Sequence, residues 1–217
     1  MNVKSKWLLA LLLTVTLVFS GMTAAAPVQA SAEQGNSCIS PKMVQLKTDM
    51  QNVWINHTLW TRSYIVSALS NLNDQKDVLD RLLQNQQDIG NVIKPYYGEA
   101  AGNQLADLLR EHITIAGSIV AAAKANNSAE VKKLEAQWHK NADAIAAFLS
   151  SANPNWSFKA LQEMLYTHLQ YITELVQDYI KKDWKASIAV TDKNETHMIH
   201  LADMLTEGIV KQFPDKF

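Results

Sequence analysis

The chain has 217 residues, with 20 lysines and arginines against 21 aspartates and glutamates and a formal net charge of −1. That balance speaks against a nucleic-acid surface, which needs a basic stripe or patch. A single cysteine, Cys38, excludes an internal disulfide.

Positions 1–30 read as a secretory signal peptide. Lys4 and Lys6 form a basic start, positions 7–19 are apolar, and Val28-Gln29-Ala30 is a small-residue cleavage site. An uncleaved anchor is the alternative, but the apolar run is short of the roughly 20 residues that a spanning helix needs. Cleavage after Ala30 leaves the stretch 31–217, long enough for one domain with a sizeable core. Losing Lys4 and Lys6 takes the formal charge from −1 to −3. The exported product is expected to have no transmembrane span. Positions 31–39 read as a flexible segment and 40–217 as a single all-α domain.

Glycine and proline are sparse after Cys38, and no alternating strand pattern persists. Ser40 followed by Pro41 is a helix start, and this first helix is predicted to run to about Leu72. A second covers about 75–93, stopped by Pro95 and the Tyr96-Tyr97-Gly98 turn. A third spans about 100–125. Asn127 and Glu130 make a capping box for a fourth, which ends near Ser151. A fifth runs from Ser157 to about Asp183. Positions 184–190 are open between helix and connection, and Asp192 with Glu195 opens a sixth that ends before Pro214. Short loops imply antiparallel neighbours, hence an up-and-down bundle, read as three repeated helical hairpins.

Three of these helices carry one histidine where the apolar stripe calls for leucine. His112 interrupts Leu105, Leu108, Leu109, Ile115 and Ile119. His57 stands between Trp54 and Trp60, and His168 between Leu165 and Tyr171. On the returning helices Asp88, Asp143 and Asp203 recur at similar spacing. A buried histidine without a partner costs about 1–3 kcal/mol, so Gln86, Asn141 and the aspartates are the expected partners. Three rings at one level must be neutral, or held by something anionic or metallic. A hydrogen-bonded polar core, a metal site and a haem or other ligand are the open readings. The metal reading takes His57, His112, His168 and His200 as ligands for zinc, iron or copper.

A second candidate site joins Arg62, Asn85, Asp88, Asn91 and Lys94. Arg62 is expected to pair with Asp88 across the first hairpin, either to fix helix register or to line a small-ligand pocket walled by Tyr96 and Tyr97. Neither the Gly-x-Ser-x-Gly elbow, the Gly-x-x-x-x-Gly-Lys loop, nor the Gly-x-Gly-x-x-Gly turn occurs. The paired Glu-x-x-His of di-iron bundles and the His-Glu-x-x-His of zinc proteases are missing too. The sequons at Asn56 and Asn194 fall within predicted helices.

The His57-x-x-Trp60-Thr61-Arg62 run, the stretch from Gln84 through Asp88, Asn91, Lys94 and Pro95 to Gly98, and Glu111-His112 resemble a group of secreted or envelope helical-bundle proteins of Bacillus-type bacteria. The resemblance covers most of the mature chain. Some of that group carry the labels glycosyltransferase or acetylglutamate kinase, for which this sequence has no nucleotide-binding motif. The resemblance implies a helical fold and an exported setting, without an activity. The leading expectation is a non-enzymatic binding protein of the envelope, with a small ligand or an envelope partner. A metal-binding bundle using the core histidines is second, and a hydrolase or transferase a distant third.

Overall fold

The computed structural model describes residues 39–217. Positions 1–38, which include the stretch read as a signal peptide and Cys38, lie outside the described residues. Among the described residues all regular structure is helical: α1 (Pro41–Ser70), α2 (Gln75–Lys124), α3 (Ser128–Ala152), α4 (Phe158–Ile180) and α5 (Trp184–Gln212), then a 3-10 turn at Pro214–Lys216.

Local chemistry sets the ends. The Ser40 hydroxyl accepts from the backbone N–H of Met43, and Pro41 fills the first turn, where its missing N–H costs nothing. Asn71 closes α1 in the left-handed region at φ 55°, which asparagine tolerates better than most residues. Asn127, Ser157 and Asp183 cap α3, α4 and α5 through their side-chain oxygens. Glu130, however, leaves the expected reciprocal cap and pairs with Lys133.

Two expected boundaries are corrected. Pro95 does not stop the second helix. The helical run continues to Tyr97 and breaks at Gly98, whose φ of 84° and ψ of 168° suit glycine alone. Pro95 sits in the last turn before that break, so its missing N–H removes one ladder hydrogen bond near the end of the helical run and not from its middle. Beyond Gly98 the chain folds back so tightly that a Cβ on Gly90 would lie 2.3 Å from the carbonyl oxygen of Gly102. The stretches 75–97 and 99–124 of α2 therefore act as two members of the bundle. At the other end, positions 184–190 belong to α5, and Asp192 to Glu195 lies inside that helix. Ser187 and Val190 are buried there, so the inward face continues through the segment that had looked ambiguous.

The helices pack in a closed circuit: α1 on α2, α2 on α3, α3 on α4, α4 on α5, and α5 back on α1. One continuous core fills it, with Met50, Ile65, Leu105, Ile145, Leu161 and Met198 each at 2 % exposure or below. At one end Tyr97 Oη donates to Gln212 Oε1 at 2.8 Å and accepts from Asn153 Nδ2 at 2.8 Å, tying α2 and α5 to the α3–α4 turn. Among the described residues no helix is long and apolar enough to cross a membrane.

Candidate functional site: a buried histidine–asparagine centre

His57 on α1, His112 on the second half of α2 and His168 on α4 meet inside the bundle at 2–3 % exposure. His168 is in the middle. Its ring centroid lies 5.5 Å from that of His57 and 6.3 Å from that of His112. Two indoles flank the group: Trp54 stands edge-on to His57 at 5.6 Å, and Trp138 lies 5.0 Å from His112.

The other helices answer with carboxamides. Asn141 of α3 gives its Oδ1 to His112 Nδ1 at 2.7 Å, and Asn194 of α5 gives its Oδ1 to His168 Nδ1 at 2.7 Å. An amide oxygen can only accept, so each ring donates from Nδ1. Asn141 cannot turn around, because its Nδ2 donates to the Leu108 carbonyl, one helical turn before His112, at 3.1 Å. This fixes the tautomer of His112: Nδ1 carries the proton and Nε2 the lone pair. The third hairpin differs in one respect. There the carbonyl one turn before the histidine, that of Met164, accepts from His197 Nε2 at 2.7 Å.

The first hairpin repeats the amide but not the ring bond. Asn85 Nδ2 donates to the Val53 carbonyl, one turn before His57, at 3.0 Å. Its Oδ1 is approached by Gln86 Nε2 at 3.4 Å, and His57 Nδ1 is left without a partner. Trp54 Nε1, Thr61 Oγ1, Gln86 Oε1 and Trp138 Nε1 are likewise sealed without one. Such atoms are few in folded proteins, yet five of the six among the described residues come from His57 and Gln86, the two indoles that flank the rings, and Thr61 one turn along α1, the sixth being Trp156 Nε1 beside Gly208.

Burial dominates the protonation of the rings. Desolvation, with the neighbouring rings of His168 and His112, holds His57 well below its ordinary value, and Asn85 and Gln86 oppose the shift. Desolvation and His168 push His112 down to about 3, opposed by Asn141. Desolvation takes His168 down to about 4, opposed by Asn194. At neutral pH the centre is therefore uncharged.

The remaining expected site residues are elsewhere. His200 is on the outer side of α5, beside Tyr171 and His197 in a surface groove, and does not join the three rings. The aspartates do not reach the rings either. Asp143 accepts from Tyr166 Oη at 2.8 Å, Asp203 from Gln51 Nε2 at 2.7 Å, and Asp88 pairs with Arg81 at 3.2 Å. Arg81 also lies over the Trp60 ring at 5.4 Å, so the partner assigned to Arg62 belongs to Arg81 instead. Of the second candidate group, Asn85 is wholly buried, Asn91 is exposed and bonded to Gln87, and Lys94 pairs with Glu99 at 2.9 Å. These residues do not converge on a pocket. Among the described residues no group of three or more histidine, cysteine, aspartate and glutamate side chains stands in position to hold a metal ion.

Asn194 is the functional residue that the sequence reading missed. A signal was present: Asn85, Asn141 and Asn194 follow His57, His112 and His168 at nearly equal intervals along the chain. No family model, curated protein or solved structure matches this chain.

Proposed function

We propose that this chain is a non-enzymatic binding protein, exported to the cell envelope or the medium, whose binding element is the histidine–asparagine centre. One observation carries the reading. His112 and His168 are held as Nδ1–H tautomers by dedicated amides, which leaves their Nε2 atoms as the lone-pair nitrogens in a core where five polar atoms around the rings have no partner. A core needed only for stability gains nothing from such atoms, since each costs about 1–3 kcal/mol relative to a matched apolar set. Retaining them suits a receptor. The amino-terminal leader supports the exported setting. Metal binding at the same rings is the second reading, favoured by the tautomer lock, since a ligating imidazole usually donates its other nitrogen to a fixed acceptor.

Native and denaturing mass measurements on untagged protein recovered from the medium test both parts. The polypeptide mass should begin at Ser31, and the native mass should exceed it by a non-covalent increment that His168→Gln removes. Equal masses, or an increment indifferent to that substitution, refute the binding centre. A mass retaining positions 7–19 refutes cleavage.

A further inference from the structure

Resting on the binding reading above, we propose that the centre takes one soft monovalent metal ion of the copper(I) class, held by His168 together with His57 or His112. Three filters lead there. The first is size. The three rings lie against one another at 2–3 % exposure, which suits a single atom better than an organic ligand. The second is chemistry. The tautomer lock presents neutral imidazole nitrogens as lone pairs, which suit copper, zinc, iron and nickel rather than the oxygen-seeking magnesium and calcium.

The third filter is charge. The polar groups packed around the rings are the neutral Asn85, Gln86, Asn141, Asn194, Trp54 and Trp138, with His139 near His112 and His197 near His168, and none of them carries a negative charge. The aspartates of the same helices are engaged elsewhere. An ion here keeps its whole charge in a medium of low dielectric, and that cost grows with the square of the charge. A shell without negative charge therefore favours a monovalent ion over a divalent one. Copper(I) also accepts as few as two nitrogen ligands, so it does not need the three-ligand group that the described side chains do not form. His168 alone lies beside both other rings, which makes it the shared ligand. Asn194 is its positioning residue.

The test uses untagged exported protein carrying Cys38→Ser, so that no thiol competes. Copper(I) is titrated anaerobically against a chromophoric chelator, and the copper shell is read by X-ray absorption. One ion per chain in a nitrogen-only shell of low coordination number is expected. His168→Gln should weaken binding by more than the roughly 10–100-fold typical of losing an outer-shell partner, while Asn194→Ala should fall within that range. His57→Gln or His112→Gln alone should retain an ion. Ring nitrogen resonances of the Cys38→Ser protein give a readout free of any histidine change: His168 and one neighbour should shift in proportion to added copper(I). Failure to withdraw copper(I) from the chelator, unperturbed ring resonances, or full binding by folded His168→Gln would overturn the proposal. Equal uptake of zinc at the same rings would overturn the charge argument while leaving the binding reading intact. A native mass increment that is not a metal would likewise leave only that reading standing.

Discussion

Acid should unfold this protein through its three core histidines. In the unfolded chain each imidazole titrates near 6.5. In the folded chain His57 lies well below that value, His112 falls to about 3 and His168 to about 4. Below pH 6.5 the unfolded state binds more protons than the native one, so stability falls as pH drops. The loss continues until the folded values are reached, at about 4 for His168 and about 3 for His112. Between pH 7 and pH 5 His112 and His168 each remove roughly 2 kcal/mol, and His57 adds a loss of the same sign. Against a typical total of roughly 5–15 kcal/mol, that is a large share. The assay is urea unfolding of metal-free protein at several pH values, for the wild type and for each His→Gln variant. Carboxylate titration is common to all four proteins and cancels in the comparison. Each variant should start less stable at pH 7 but lose less between pH 7 and pH 5, by roughly 2 kcal/mol for His112→Gln and His168→Gln. A wild-type loss below about 2 kcal/mol over that range, with the variants following the same slope, would refute the claim that the rings are buried and neutral.

Three further outcomes follow from the geometry. Asn141→Ala removes the acceptor of His112 Nδ1, while the Leu108 carbonyl keeps its helical bond, and should cost about 1–3 kcal/mol for the one ring nitrogen left buried and unpaired, read by chemical denaturation. Gly98→Ala forces a Cβ onto a backbone at φ 84°, and thermal unfolding should report a loss of about 1–3 kcal/mol although the position has open space around it. A double-mutant cycle on Arg81 and Asp88 should give a coupling below about 1 kcal/mol, because both side chains are about one-third exposed. The same cycle on Arg62 and Asp88 should give none.

The fold was legible because helix signals are local. Ser40-Pro41, Asn127 and Ser157 mark starts by side chains that reach no further than the first helical turn. The histidines were legible for a related reason: a polar residue that breaks an apolar stripe must point inward if the stripe does. Their partners were harder to read. An asparagine on a helix is unremarkable until the rotation of that helix is known, and Asn194 had nothing local to distinguish it from Asn91. Rotation also defeated the Arg62–Asp88 pairing. Arg81 reaches Asp88 from two turns away on the same helix, a route the sequence allows as readily as one across the hairpin. The pattern at Asp192 and Glu195 misled because a cap followed one turn later by an acid is also ordinary composition for the outside of a helix.

The closed circuit of helices has a bearing on biogenesis. The α1 surface that packs on α5 has no cover until positions 184–212 have been made, and the contact of His57 with His168 joins the first helix to the fourth. Early hairpins can form as the chain emerges, but the ring shuts only when its last helix arrives. Such long-range closure slows folding, because the entropy of a large loop is lost before the contact that compensates it forms. A nascent chain of this design stays open, and its centre unassembled, through most of synthesis. On the export route proposed above, late closure would keep the chain pliable for passage through a narrow translocation channel and let it lock on the far side.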